Sequence, residues 1–194
     1  MEDKRILKTK KNLKNSLVAL LSEKPFEQIT VKELCEVAQT SRITFYTHYN
    51  DKYDLANDIF EDMVKIATDD FHFLQKENNA GGDPILSYCN MFDCILNVYY
   101  NHNLFFSHTG PGESPYLNNL LYQYVSSYIR HRADREKNRI NSKYSSQQTT
   151  ALLYYALWGF LSESYNAGRP QEEIRRQTKE VLKSLLRSDI FVLR

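Results

Sequence analysis

The chain has 194 residues, of which 42% are hydrophobic and 25% are charged, and its formal net charge at pH 7 is +1. This composition predicts a soluble chain with a substantial core, either one large domain or a small domain beside a larger one. No apolar run approaches the roughly 20 residues of a membrane span, and the charged N-terminus is unlike a signal peptide. We therefore expect a cytoplasmic protein with no membrane partner.

The residues that usually hold metals or perform catalysis form no recognisable pattern. Cys35, Cys89 and Cys94 follow no zinc or disulfide spacing, so we expect buried thiols in a reducing compartment. His102 and His108 have no nearby cysteine or acidic residue that would complete a metal site. Nucleophile–base pairs and phosphate-binding glycine loops are not recognisable either. The sequence thus predicts no metal, no cofactor and no enzymatic activity.

Helical signals begin at the N-terminus and recur along the chain. Residues 4–23 place apolar side chains at helical spacing, and the following Pro25 ends this first helix. Thr30 and Glu33 form a capping box that starts a second helix. Later helix starts and breaks are marked by Asp51, Gly81-Gly82, Asp83-Pro84, residues 108–112, Ser114-Pro115, Gly168 and Pro170.

The C-terminal part contains one charge-rich stretch, residues 130–143. We interpret it as a solvated helix end and loop, with a second nucleic-acid patch as the alternative. No β-hairpin or βαβ pattern interrupts the helices. The sequence therefore predicts an all-α protein of about nine helices, with a small N-terminal unit and a larger C-terminal one.

The segment TSRITFYTHYNDK, residues 40–52, is rich in β-formers but lies between two predicted helices. On a helix, Ser41, Phe45 and Tyr49 share an inward face while mostly polar residues occupy the opposite half. So short a helix needs tertiary packing, which the capped helix before it can supply. Two such helices joined by a turn form a helix-turn-helix, whose second helix enters the major groove of DNA.

The outward residues of this segment have the chemistry of a DNA-binding surface, although an ordinary two-helix corner is the alternative. Arg42 can bond guanine, Ile43 can contact a thymine methyl, and Thr47 can also reach bases. Lys32 and the lysines at 8–14 can add non-specific phosphate contacts. Phosphate contacts are expected from Thr40, Ser41, Thr44, Tyr46, Thr47, His48 and Lys52.

Several short motifs of this region follow one another in a fixed order: Ile29-Thr30-Val31, Ala38, Ser41-Arg42, Thr44-Phe45-Tyr46, His48-Tyr49 and Lys52. Through these positions, residues 5–60 closely resemble the N-terminal domain of TetR/AcrR-family bacterial transcription regulators. Two positions depart from the family pattern: Gln39 stands where the turn usually has Gly, and Ile43 where Gly commonly follows Ser-Arg. The second departure puts a bulky apolar group at the DNA surface.

The resemblance implies a DNA-binding domain at residues 1–50 and an effector-binding and dimerisation domain at 51–194. It also implies a homodimer, usually a repressor, whose affinity for double-stranded operator DNA is altered by a small-molecule effector. Control by a protein co-regulator instead of a small ligand is the alternative. Candidate effector-pocket residues, which core packing explains equally well, are Tyr88, Phe92, Tyr99, Phe105, Phe106, Tyr122, Tyr154 and Trp158. Candidate dimer contacts, with an intramolecular core as the alternative, are Ala156, Gly159, Ser162, Leu182, Leu185 and Leu186.

Overall fold

A computed structural model of the chain describes residues 4–106 and 114–193. The predicted all-α fold with about nine helices is confirmed. The predicted break at residues 108–112 lies outside the described residues. The helices are α1 (Lys4–Leu21), a short 3-10 helix (Phe26–Gln28), α2 (Val31–Val37), α3 (Arg42–His48), α4 (Lys52–Asn78), α5 (Pro84–Asn101), α6 (Asn103–Phe106), α7 (Pro115–Glu136), α8 (Ser146–Asn166) and α9 (Gln171–Arg187).

The structure also contains a two-stranded antiparallel sheet that the sequence did not predict. Strand β1 (Ile140–Ser142) pairs with β2 (Phe191–Leu193), and Asn141 lies opposite Val192. Strands of three residues are too short to show an alternating pattern, and their partners are far apart in sequence. The pairing joins the segment before α8 to the segment after α9.

The chain divides into two compact units. The first comprises Met1–Lys65 and Tyr99–Leu121, and the second comprises Ile66–Val98 and Tyr122–Arg194. The N-terminal helices therefore pack with residues from the middle of the chain. The functional boundary expected at residue 50 remains a prediction.

The core of the first unit is built from the apolar faces of its short helices. Its fully buried side chains include Leu13, Leu17, Leu21, Phe26, Leu34, Phe45 and Leu55. At the edge of this core, Lys14 of α1 forms ion pairs with Asp58 at 3.1 Å and with Asp62 at 2.5 Å, both on α4. These charges tie the first helix to the start of the long one.

The second unit is packed around α5, α8 and α9. Asp93 of α5 forms ion pairs with Arg175 at 3.0 Å and with Lys179 at 2.7 Å, both on α9. Cys94 is fully buried, and burial raises the pKa of its thiol to about 12. Among residues 4–106 and 114–193, no helix is both long enough and apolar enough to cross a membrane.

Candidate nucleic-acid interface

The first helix of the helix-turn-helix, α2, begins at the predicted capping box. Thr30 Oγ1 accepts from the backbone N–H of Glu33 at 3.3 Å, and Glu33 Oε2 accepts from the Thr30 N–H at 2.9 Å. Lys24 forms an ion pair with the same carboxylate. The hydrogen bonds from Lys24 and Thr30 lower the pKa of Glu33 to about 2. The start of α2 is therefore fixed by a side chain that stays ionised down to low pH.

The turn between α2 and α3 places Gln39 in the left-handed region, with φ at 51°. The Gln39 N–H donates to Glu36 O at 3.2 Å, and the Thr40 N–H donates to Cys35 O at 2.9 Å, which closes the end of α2. Glycine adopts this backbone conformation without the steric cost that a side chain incurs. Gln39 therefore adopts a backbone conformation that glycine takes more easily.

Helix α3 is held by its cap and by its two aromatic residues. Ser41 Oγ accepts from the backbone N–H of Thr44 at 3.0 Å, so the helix begins at a side-chain cap. Phe45 is fully buried and Tyr49 is 3% exposed, as predicted. Ser41, predicted on the same inward face, is instead exposed, because it lies at the N-cap of the helix. The strand-like propensity of this segment is overridden by tertiary packing.

The opposite side of α3 faces solvent and carries most of the predicted DNA contacts. Ile43 is 83% exposed and Tyr46 is 58% exposed. Arg42, Ser41 and Thr47 are also exposed, whereas Thr40, Thr44 and His48 are half-buried. Two hydroxyls have local roles as well, because Ser41 caps the helix and Thr47 Oγ1 donates to Ile43 O at 2.9 Å.

Lys52 lies beside this surface but makes internal contacts, and its phosphate role stays a prediction. Its ammonium donates to Phe26 O at 2.8 Å and to Glu27 O and Ile29 O at 2.9 Å. It also lies 4.8 Å from the centre of the Phe26 ring. Burial lowers the pKa of Lys52. All three N–H donors are used, so in this geometry Lys52 fixes the 3-10 helix against α4 and offers no proton to a phosphate.

The lysines predicted to add phosphate contacts fall into two groups. Lys10 and Lys14 lie near Asp58, at 3.8 Å and 3.1 Å, so their charge is partly neutralised within the protein. Lys8 and Lys11 are exposed on α1. Lys32 is exposed and 3.8 Å from Glu36 on the same helix, a weak surface pair.

The start of α7 contacts the N-terminal helices of the first unit, although the two segments are far apart in the sequence. Ser114 Oγ donates to Glu27 Oε1 at 2.8 Å. The Tyr116 ring stacks on Phe26 with centroids 5.3 Å apart, and its hydroxyl accepts from Asn57 at 3.0 Å. Sequence analysis missed these residues, since neither a local motif nor helical spacing indicates contacts between such distant segments.

The candidate effector-pocket residues are distributed over the two units. Phe105 and Phe106 pack on Phe60 in the first unit, and Tyr99 lies 5.3 Å from Phe106 between ring centroids. In the second unit, Tyr154 packs with both Tyr122 and Trp158. Tyr88 and Phe92, also in the second unit, are buried on α5. Each of these aromatic residues takes part in packing within its own unit.

The candidate dimer residues differ in their exposure to solvent. Leu182 and Leu186 are 1% and 0% exposed, so both are buried within the chain, as the alternative of an intramolecular core predicts. Gly159 is exposed on α8, and Ala156, Ser162 and Leu185 are half-buried. In the described part of the chain, an open groove of about 780 Å³ lies between α8 and α9. Its lining includes Phe160, Val181 and Leu185.

An all-α chain with a capped, packed short helix that exposes arginine, isoleucine and tyrosine has the features of a helix-turn-helix DNA-binding protein. Residues 16–59 match the family model described as bacterial regulatory proteins, tetR family. The N-terminal part of the chain therefore matches the TetR family of transcriptional regulators, and the predicted resemblance is confirmed. The matched family is one of transcriptional regulators, which are not enzymes.

Similar proteins agree with this assignment. A 51-residue segment is 41% identical to the uncharacterized HTH-type transcriptional regulator YxbF of Bacillus subtilis, and it covers 26% of this chain and 13% of YxbF. A solved structure from Syntrophomonas wolfei, assigned to the TetR family, aligns with a TM-score of 0.75 at 14% identity over 93% of this chain and 96% of that chain. A TetR/AcrR-type regulator from Aquifex aeolicus aligns with a TM-score of 0.57 at 17% identity over 91% and 99%. At these identities the two structures establish the fold alone.

Proposed function

We propose that this chain is a homodimeric, cytoplasmic repressor that binds operator DNA through α3 and releases it when an effector binds residues 51–194. The observation that carries the proposal is the division of α3 into two faces. Phe45 and Tyr49 fix the helix in the core, while Arg42, Ile43 and Tyr46 project to solvent. This arrangement matches the way a recognition helix presents side chains to the major groove.

The outward residues would have separate roles on DNA. Arg42 can donate two hydrogen bonds to a guanine, Ile43 can pack on a thymine methyl, and Thr47 lies one turn after Ile43. Thr40, Thr44 and His48 lie at the edge of this surface, where short polar side chains reach phosphate oxygens. Exposed lysines of α1 would add contacts that do not depend on sequence.

Dimerisation follows from the geometry of operators and from the surface of α8. Two recognition helices about 34–36 Å apart reach successive major grooves on one side of DNA. Leu152 and Tyr155 of α8 are 38% and 62% exposed, and no described atom lies within 4 Å of the place that a Cβ of Gly159 would take. These residues and the groove between α8 and α9 support a contact with a second copy.

An effector acts by favouring a dimer whose recognition helices no longer fit both half-sites. A coupling of about 1–3 kcal/mol between the two sites is typical of such regulators. The alternative is a protein co-regulator that docks on the C-terminal part. Ligand screening by thermal shift, set against pull-down with candidate partner proteins, separates these two modes of control.

The proposal is tested by fluorescence anisotropy with duplexes from upstream of the chain's own operon. We expect sequence-specific binding that weakens steeply as the salt concentration rises. Arg42→Ala should cost about 1–3 kcal/mol and relax the preference at one base position. Arg187→Ala, at an exposed arginine of α9, is the control and should leave binding unchanged. Salt-insensitive binding, or an unchanged preference in Arg42→Ala, would contradict the assignment.

A further inference from the structure

Two buried N–H groups in the second unit have no hydrogen-bond acceptor among the described residues. They are Nε of Arg132 on α7 and Nε2 of Gln75 on α4. A buried donor without a partner destabilises a protein, so such groups are rare unless water or a ligand completes them. Both lie in the part of the chain that we assign to the effector.

The orientation of the Gln75 amide is fixed by its neighbours. Asn79 Oδ1 accepts from the backbone N–H of Asp83 at 2.7 Å, so its Nδ2 group must donate, and it does so to Gln75 Oε1 at 2.9 Å. Ser87 Oγ donates to the same oxygen at 3.1 Å. Exchanging the amide nitrogen and oxygen of Gln75 would set two donors against each other. The unpaired N–H group of Gln75 is therefore a consequence of the network.

Arg132 packs against α4 and forms an ion pair that neutralises its charge. Its Nη2 donates to Glu136 Oε1 at 2.7 Å, and the two side chains are 13% and 7% exposed. Its guanidinium lies 5.4 Å from the centre of the Phe71 ring. Phe71 and Gln75 are one helical turn apart on α4, so they share a face of that helix. The unpaired donors thus belong to a polar cluster along this face of α4, with Gln75 on the helix and Arg132 packed against it.

Tyr88 of α5 lies beside this cluster. Burial raises the pKa of its hydroxyl to about 12, and the charges of Arg132 and Glu136 also act on it. Ser87, the preceding residue, bonds Gln75 directly. Helices α4, α5 and α7 therefore supply the surroundings of the donors. These are the Phe71 and Tyr88 rings and polar groups that already have hydrogen-bond partners.

We propose that Arg132 Nε and Gln75 Nε2 bind a neutral molecule that carries a carbonyl or similar acceptor beside an apolar or aromatic body. Neutrality follows from Glu136, because a buried anion would compete with this carboxylate for one guanidinium and leave a net negative charge in the core. This inference rests on the proposed effector role and specifies the class of that effector. It does not depend on the operator sequence.

The test uses three probes that share a benzene ring: acetophenone, benzoate and ethylbenzene. Acetophenone has a neutral acceptor, benzoate has a charged one, and ethylbenzene has none. The full-length chain is labelled with ¹⁵N, and the Nε–H resonance of Arg132 is assigned by its loss in Arg132→Lys. We expect acetophenone to shift this resonance in a saturable way and to raise the melting temperature, with ethylbenzene and benzoate producing much smaller shifts.

Two variants and a control connect the response to the named donors. Arg132→Lys keeps the positive charge but removes the Nε–H group, and it should weaken acetophenone binding about tenfold. Gln75→Glu keeps an acceptor for Asn79 and Ser87 but removes the amide N–H, and it should weaken binding similarly. Arg130→Lys changes an exposed arginine on the same helix and should have no effect. Melting curves without probe identify variants that fail to fold.

Several outcomes would overturn the proposal. No response to acetophenone would mean that ordered water alone completes the donors. An equal response to ethylbenzene would remove the acceptor requirement, and stronger binding of benzoate would remove the neutrality requirement. Undiminished binding in both donor variants would place the probe elsewhere. Operator binding is measured without any probe, so failure of this inference is distinct from failure of the proposed function.

Discussion

The hydroxyl of Tyr49 donates a 2.6 Å hydrogen bond to Asp58 Oδ2, which joins the end of the recognition helix to α4. Lys14 bonds the same carboxylate from α1. A hydrogen bond to a charged group contributes about 1.5–3 kcal/mol, so Tyr49→Phe should lower the free energy of unfolding by roughly that amount. Urea denaturation at pH 7 measures the change.

Tyr46→Phe is the matched control for this prediction, since it removes the same hydroxyl from an exposed tyrosine. Its stability should stay within about 0.5 kcal/mol of the parent, as is usual for surface substitutions. Its affinity for DNA should fall for all sequences alike. Equal destabilisation by the two variants would show that the Tyr49–Asp58 bond does not stabilise the fold.

The turn residue Gln39 offers a direct test of backbone strain. Because its φ is 51°, Gln39→Gly should relieve a steric cost and stabilise the chain by about 1 kcal/mol. Glu36→Gly, in the helical part of α2, should destabilise by about 0.5–1 kcal/mol. Thermal denaturation of both variants measures whether each substitution stabilises or destabilises the chain. Destabilisation by Gln39→Gly would mean that the glutamine side chain makes a compensating interaction.

Stability should fall on acidification, and Glu33 and Asp58 supply two specific reasons. The pKa of Glu33 is about 2 in the folded chain, lowered from 4.5. Burial opposes ionisation of Asp58, but hydrogen bonds from Tyr49 and Lys14 outweigh it and hold its pKa below the usual range. Protons then bind the unfolded chain more strongly, so these contributions are present above about pH 4.5 and are lost as the pH falls through the folded values.

Urea denaturation between pH 7 and pH 2.5 measures this loss for Glu33→Gln and for Lys24→Met. Each variant removes one partner of the Lys24–Glu33 pair, so the decline in stability below pH 4.5 should be shallower than in the parent chain. A decline of unchanged steepness in both variants would exclude Glu33 as a source of the acid sensitivity.

Lys52 should act through the fold and not through phosphate contact. Lys52→Met leaves three carbonyls without their donor and should destabilise the chain by about 2 kcal/mol or more. At a temperature where the variant is folded, the slope of log affinity against log salt should be unchanged. The exposed Lys11 provides the contrast, since a phosphate-contacting lysine that is removed reduces this slope by about 1. A reduced slope in Lys52→Met would restore its predicted role on DNA.

Gly159 tests the proposed contact between copies. No described atom would meet a side chain there, so Gly159→Leu should fold normally and gain helix propensity. If α8 faces a second copy, the added side chain separates the helices and shifts the dimer toward monomer in sedimentation velocity. Gln147→Leu, near the start of α8, is the control. An undisturbed dimer in Gly159→Leu would place the interface elsewhere.

The recognition helix could be predicted because its determinants are local. The capping box and the spacing of Phe45 and Tyr49 identify a packed helix even though its residues favour strands. The contacts of Lys52 could not be predicted in this way, since backbone carbonyls have no sequence signature. The apolar stripe of α9 shows a similar limit: it contains Leu182 and Leu186, but a stripe is the same whether it packs within one chain or against another.

Among the described residues, the most exposed large apolar side chain is Ile43, at the point where α3 is proposed to meet DNA. Burial of an apolar group on binding gives a negative change in heat capacity. The binding enthalpy of an operator complex that covers Ile43 would therefore become more negative as the temperature rises. A plot of the logarithm of the affinity against inverse temperature would then be curved. A glycine at this position, which resembling proteins commonly have, would contribute almost nothing to that curvature. The departure of this chain from the family pattern thus has a calorimetric signature.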